Sequence, residues 1–353
     1  MNAVNTPIYF EEKGYQYLQQ VLQTNTYSKV FILVDNHTSE ACLPLFLSNL
    51  VTDLEFEIIE IEAGEEHKNI NTCMQLWEAL IELGADRRSI LVNLGGGVLT
   101  DLGGFVASTF KRGIDFIHVP TTLLAMVDAS IGGKNGVDLG TLKNQIGCIM
   151  PPKGIVIDTS FLATLESRQM RSGLAEMYKH GLILDKAYWN KLKDLNSLST
   201  NDLLILIKQS IEIKSNIVSE DILEKGLRKI LNFGHTLGHA IESCFLEKEA
   251  TKQLLHGEAV AAGMRLESHI SWKLNLISKE EYLEIDYILS DVFEPIDFNS
   301  NDIEKIIQLI QYDKKNENGK TQFVLLNGIG KAISNQNVDH SFIYEAFNDY
   351  CKQ

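Results

Sequence analysis

The sequence predicts two domains: an α/β N-terminal domain on a parallel sheet, residues 1–165, and a mostly α-helical C-terminal domain, residues 166–353. Three observations predict it. Short β-branched runs in the first half end in turn residues and alternate with helical stretches, as strand–helix–strand units do. From Glu166 to about Asn275 the segments are long and periodic without strand-like runs, and Pro is absent from Lys153 through Glu294. A chain of 353 residues also suits two cores, at roughly 150 residues per domain.

In chain order, Val30–Val34 is a strand closing in Asp35-Asn-His, and Phe56–Ile61 a second one, closing towards Ala63-Gly-Glu65. Asn71–Leu83 sets Met74, Trp77, Leu80 and Ile81 at helical spacing and predicts a helix with that apolar face. Ile90–Leu94 runs into three glycines, Phe116–Val119 into Pro120-Thr121-Thr122, and Ile155–Ile157 into Asp158. Late in the helical half, Thr321–Leu326 alternates polar and apolar residues and predicts a return as a short hairpin.

Composition narrows the function. Acidic residues number 47 against 32 basic ones, a formal net charge of −15. That balance argues against nucleic acid as a partner, since such binding relies on dense Lys and Arg. It leaves anionic small substrates open, because a pocket can be basic inside an acidic shell. Met1–Phe10 has no basic start before an apolar run, and no apolar stretch nears the ~18 residues of a membrane helix. No membrane partner is expected. Cys42, Cys73, Cys148, Cys244 and Cys351 are scattered, as in a reducing compartment, so the expected location is cytoplasmic.

The first half carries a candidate nucleotide site of the Rossmann-like kind. Gly95-Gly96-Gly97 follows a strand and precedes a plausible helix start at Val98-Leu-Thr-Asp101. Glycines there let backbone N–H groups approach a pyrophosphate, and a helix N-terminus favours its charge. The alternative is a tight turn without a ligand. Asp35 closes an early strand, where an acid can hold ribose hydroxyls; its alternative is a helix cap. Gly64-Glu65-Glu-His-Lys68 closes another and reads equally as a solvated turn. Several polar loops at one sheet edge favour a nucleotide, and the diol-binding acid points to NAD over NADP.

The second half carries a candidate metal site. In Asn232-Phe-Gly-His235-Thr-Leu-Gly-His239 the two histidines are four apart and share one helix face. His256-Gly-Glu lies downstream and Glu176-Met-Tyr-Lys179 upstream. Three imidazoles and a carboxylate are what a catalytic zinc site draws on: three ligands, with one imidazole left for proton transfer. Taken alone, such a pair is more often structural or surface-exposed. Arg112, Lys134, Lys143, Lys179, Lys214, Arg228 and the Lys314-Lys315 pair sit among glycines, asparagines and apolar residues. Gly132-Gly133-Lys134 and Lys143-Asn144 read as loops holding a cation at an anion. Together these cations point to a doubly anionic substrate, such as a phosphate with a carboxylate.

In order along the chain, these stretches resemble the 3-dehydroquinate synthase family of the sugar-phosphate cyclase superfamily, from Asp35 to about Leu326. The resemblance rests on Gly95–Phe105, Val119–Lys134, Lys143-Asn144, Gly173–Gly181, Leu231–Glu242, Leu255–Val260 and Asp313–Lys315. It implies a divalent metal on Glu176, His235 and His256, zinc first and cobalt second, with His239 as the remaining imidazole near the substrate phosphate. It implies NAD on Asp35, Glu65, Lys68, Gly96, Gly97, Asp101, Thr121, Thr122, Lys134, Lys143, Phe161 and Thr164. Asp128, Lys134, Asn144, Lys179, Lys214, Arg228 and Asn232 would hold the substrate, with Lys314 or Lys315. Arg112 would reach a neighbouring subunit's site, which implies a homodimer.

The implied reaction takes 3-deoxy-D-arabino-heptulosonate 7-phosphate to 3-dehydroquinate and phosphate. Its steps are transient oxidation by NAD, elimination, re-reduction and aldol closure. The chain departs from the family pattern at Leu142-Lys143-Asn144, at Asn135-Gly-Val-Asp138 and at His37, none of which removes a charged or ligand position. Two enzymes stay open as alternatives: a sister cyclase of the 2-deoxy-scyllo-inosose type, and a metal-dependent polyol dehydrogenase. A non-enzymatic metabolite-binding regulator would be expected to show gaps at Glu176, His235 or His256, and none is present.

Overall fold

The computed structural model describes residues 6–140, 142–194, 200–246, 248, 252–311 and 321–352. The chain divides into two units, Met1–Met170 and Arg171–Gln353.

The first unit opens with β1 (Ile8–Phe10), α1 (Glu11–Thr24), β2 (Val30–Asp35), α2 (Asn36–Ala41), α3 (Leu43–Asn49) and β3 (Phe56–Ile61). There follow α4 (Ile70–Glu82), β4 (Ile90–Gly95), α5 (Gly97–Thr109), β5 (Asp115–Pro120), β6 (Lys134–Leu139), β7 (Leu142–Ile149) and β8 (Gly154–Ile157). Six strands form one parallel sheet in the order β1-β8-β5-β4-β2-β3. The central strands β2 and β4 are buried and almost wholly apolar, Asn93 of β4 apart, because both faces are covered, as parallel sheets require. From β2 the chain moves outward to β3, and from β4 it moves the other way to β5. The order therefore reverses between β2 and β4, which is where open α/β sheets bind ligands at their strands' carboxyl ends. Asp35 ends β2 and Gly95 ends β4.

Two expectations are corrected here. Helix α4 forms, but its buried stripe is Thr72, Cys73, Leu76 and Leu80, while Met74 and Ile81 are exposed. The helix is thus turned from the predicted face, and Trp77 sits at the stripe's edge with its indole N–H on the Val106 carbonyl at 3.2 Å. The segments around Lys134 and Lys143-Asn144 are strands, not loops: Lys134 opens β6, and Lys143 and Asn144 lie in β7, paired antiparallel to it. Their polar residues hide the period-2 pattern, and the strands are held by backbone approach where Gly136 faces Gly147.

The second unit is helical, with α6 (Ser167–Leu184) crossing the division. It continues with α7 (Lys186–Leu192), α8 (Thr200–Glu220), α9 (His235–Leu246), α10 (His256–Lys273), α11 (Lys279–Val292) and α12 (Ser300–Gln311). The hairpin of β9 (Gln322–Leu326) and β10 (Ala332–Asn337), where the alternation predicts one, and α13 (His340–Tyr350) complete it. Leu237 and Ile241 of α9, Leu266 and Ile270 of α10, Ile306 of α12, Phe323 of β9 and Phe347 of α13 share one core. That core fixes the backs of α9 and α10, the helices that present the histidines. No helix among the described residues is long and apolar enough to cross a membrane.

Candidate functional site

In the first unit the polar loops collect at the sheet's carboxyl edge. Gly96 precedes α5 and lies against the Thr122 side chain, and the Thr121 N–H donates to the Gly95 carbonyl at 3.0 Å. The Cys42 thiol lies by the Thr121 and Thr164 hydroxyls; burial pushes it up, and those hydroxyls pull the other way. Phe161 is buried in the turn after β8, and its carbonyl accepts the Thr164 hydroxyl at 3.1 Å. Asp35 caps α2: its Oδ1 accepts the Thr38 N–H at 2.7 Å in a capping box, so the cap reading applies to that oxygen.

Lys68 is the hub of this edge. Buried, its ammonium donates to Asp101 at 2.6 Å and to Asn144 Oδ1 at 2.8 Å, with Glu65 at 3.9 Å. Burial alone would lower it, but Asp101 and Glu65 outweigh that and hold it above the usual lysine range. Lys143 donates to Glu65 at 2.5 Å. Asp138, named from the sequence only as a departure from the family pattern and not as a site residue, accepts the Asn144 N–H at 2.6 Å and so ties β6 to this edge. Five predicted residues, Glu65, Lys68, Asp101, Lys143 and Asn144, thus form one connected network. Asp128 sits on the Ala125–Ala129 turn, partly exposed. Lys134 and Arg112 are exposed, Arg112 with a left-handed backbone at φ 73°.

In the second unit Glu176, His235, His239 and His256 converge. The Glu176 carboxylate is fully buried on α6, and its Oε1 lies 3.4 Å from His235 Nε2 and 3.6 Å from His256 Nε2. The three imidazoles pack with centroids 5.1, 5.5 and 5.8 Å apart. Each flanking histidine has its second nitrogen engaged: His235 Nδ1 with the Phe233 carbonyl at 3.0 Å, and His256 Nδ1 with Glu242 at 3.1 Å. Such acceptors hold the tautomer that leaves Nε2 as the ligand nitrogen.

Close helix approach makes this possible. Gly257 lies so near Ser172 of α6 that a Cβ there would collide with the Ser172 carbonyl oxygen. Gly263 is held equally tightly to the Gly234 carbonyl, and Gly234 itself turns at φ 77°, in the left-handed region that favours glycine.

The donor set fits a divalent cation. Two donors about 2.1 Å from a tetrahedral ion lie roughly 3.4 Å apart, close to both nitrogen–oxygen separations at Glu176. Among the described residues neither Glu176 oxygen accepts a well-directed hydrogen bond, although Lys179 ion-pairs with the carboxylate. A buried carboxylate without directed donors is costly unless a cation completes its shell. The electrostatics are uneven. Burial works to raise Glu176, but Lys179 and His235 hold it well below the usual carboxylate range. Burial, then the Lys179 charge, pushes His235 down to about 4. Burial acts the same way on His256, but Glu242 and Glu176 outweigh it and carry it up to about 10.

The other predicted residues of this unit are also placed. Lys179, Lys214 and Arg228 are buried, an unusual state for cations. Arg228 Nη1 donates to the Ile222 carbonyl at 2.8 Å, and the Asn232 amide donates to Glu224 at 2.5 Å. Lys314 and Lys315 lie outside the described residues. Glu242 was missed, although its place seven residues after His235 and three after His239 put it on one side of the same helix.

Family models described as 3-dehydroquinate synthase N-terminal and C-terminal match residues 58–172 and 173–316. A 3-dehydroquinate synthase of Parabacteroides distasonis is 42% identical over 335 residues, covering 94% of each chain. A 2-deoxy-scyllo-inosose synthase solved with carbaglucose-6-phosphate, NAD+ and Co2+ superposes with a TM-score of 0.84 at 28% identity, over 97% of this chain and 96% of that one. A 2-epi-5-epi-valiolone synthase from Streptomyces hygroscopicus subsp. jinggangensis, with NAD+ and Zn2+ bound, gives 0.83 at 26%, over 100% and 98%. Two adjoining family models and a relative this similar along nearly its whole length place the chain in the 3-dehydroquinate synthase family.

Proposed function

We propose that the chain is an NAD-dependent, divalent-metal-dependent enzyme converting 3-deoxy-D-arabino-heptulosonate 7-phosphate to 3-dehydroquinate and phosphate. The observation that carries it is the meeting of His235 and His256 Nε2 at the buried Glu176 carboxylate, in a chain of this family. Glu176, His235 and His256 hold the metal, which we assign as zinc. Both solved relatives hold NAD+ and a divalent ion, Co2+ in one and Zn2+ in the other.

In the first unit Asp35, Glu65, Lys68, Gly96, Gly97, Asp101, Thr121, Thr122, Lys134, Lys143, Phe161 and Thr164 bind NAD. The glycines leave room for its pyrophosphate, and Lys68 gives a fixed cation at the sheet edge. In the second unit the buried charges of Lys179, Lys214 and Arg228 orient the substrate's carboxylate and phosphate, where low dielectric strengthens each contact. Asn232, Asp128, Lys134, Asn144 and one of Lys314 and Lys315 hold its hydroxyls and anionic groups. His239, beside the ligand imidazoles, moves the proton in phosphate elimination. Bound NAD supplies reversible hydride transfer and the metal Lewis acidity, so the cofactor is recycled within each turnover. Arg112 reaches the site of a second copy in a homodimer. Five free cysteines fit a reducing compartment, the cytoplasm.

The test is purified protein with zinc, the heptulosonate phosphate and substoichiometric NAD. Many equivalents of phosphate per NAD are expected, with dehydroquinate formed and no accumulating NADH. Stoichiometric NADH would make the chain a dehydrogenase instead. Phosphate released only from a hexose 6-phosphate would make it a sister cyclase.

A further inference from the structure

The two helices that begin at histidines exchange glutamates. On α9 the contacts run through Gly234, Gly238 and Glu242, and on α10 they meet Gly263, Val260 and His256 in turn. Rising numbers on one helix face falling numbers on the other, so the pair is antiparallel. Glu242 of α9 thereby meets the start of α10, at the His256 imidazole. Glu267 of α10 meets the start of α9: its Oε2 accepts the Gly234 N–H at 2.6 Å and its Oε1 the Leu237 N–H at 3.1 Å.

Glu267 is fully buried, a costly place for a carboxylate unless its oxygens are bonded. The first turn of a helix leaves N–H groups without partners in the helix and carries the positive end of its dipole. Those groups are usually capped from the residue just before the helix. Gly234 has no side chain to do so, and the cap comes instead from α10. A cap from the neighbouring helix does more than close an end: it ties the position of His235 to the helix that carries His256. Ser271, one turn beyond Glu267, anchors the same helix by accepting the Leu326 N–H at 3.1 Å.

We propose that Glu267 is a positioning residue that sets the first turn of α9, and through it the separation of His235 from Glu176 and His256, so that it tunes metal affinity. This rests on the metal reading above. The test compares zinc affinity by chelator competition in the unaltered protein and in Glu267→Gln, alongside NAD affinity and thermal midpoint. The glutamine keeps the shape but only one accepting oxygen. Zinc binding is expected to weaken about 10–100-fold, as for other groups that orient a ligand, with NAD binding unchanged. Unchanged zinc affinity with a lowered midpoint would mean a merely structural role and overturn the proposal, as would an equal loss of NAD binding. If the glutamine variant does not fold, Glu267→Asp, which withdraws the carboxylate by one methylene, is read against the same outcomes. No zinc binding by the unaltered protein would overturn the metal reading as well.

Discussion

Replacing His235 with alanine is expected to strip the metal and stop turnover together, with kcat/KM falling at least about a thousandfold. The imidazole is one of three proposed ligands, and a methyl group cannot replace a nitrogen donor. The remaining pair, Glu176 and His256, cannot hold a divalent ion in the closed geometry that affinity requires. The change should leave the fold intact, because besides its approach to Glu176 the ring hydrogen-bonds to the Phe233 carbonyl, only two residues away in sequence. His239→Ala is the companion measurement. Its ring packs edge-on against His235 with centroids 5.1 Å apart, and as the proton-transfer group it should keep the metal while turnover drops about 10²–10⁴-fold. Metal content by elemental analysis after dialysis separates the two. Full retention in His235→Ala sinks the ligand assignment, and loss in His239→Ala moves the third ligand to that residue.

Much of the first unit was legible because its strands announce themselves. Val30–Val34 is apolar on both faces and Ile90–Leu94 is so but for Asn93, and each ends in residues that a turn or a ligand loop favours. The β6–β7 hairpin was not legible, since Lys143, Asn144 and Gln145 carry no alternation and the pairing depends on glycine backbones meeting. Helix α4 shows how far periodicity reaches: it located the helix but not its buried face, which the sheet beneath decides. In the second unit the four-residue spacing of His235 and His239 marked one shared helix face. Nothing local joins them to Glu176, 59 positions upstream of His235, or to His256; the family resemblance made that join. The register between α9 and α10, which brings Glu242 to His256 and Glu267 to Gly234, is a property of packing and has no short-range signature.

That packing is itself testable at Gly257. The residue follows His256 and touches α6 at Ser172, one helical turn before Glu176, and its N–H donates to the Ser172 hydroxyl at 2.9 Å. The contact therefore sets the distance between a proposed ligand on α10 and another on α6. Gly257→Ala places a methyl group against the Ser172 carbonyl, which is backbone and cannot rotate away. The helices must part, at a cost of about 1–3 kcal/mol from overpacking, or roughly 2–4 °C in thermal midpoint for each kcal/mol. Helix propensity works the other way, since alanine is favoured over glycine by up to about 1 kcal/mol in a helix interior and by less in a first turn such as this one. A net loss of stability would therefore show that the contact outweighs propensity. Separation of His256 from Glu176 should also weaken zinc binding by about tenfold or more. Ser172→Ala removes only the hydroxyl acceptor and keeps the helices close, so it should leave zinc affinity nearly unchanged. If Gly257→Ala binds zinc as tightly as the unaltered chain, the ligand spacing is set elsewhere and the glycine serves packing alone.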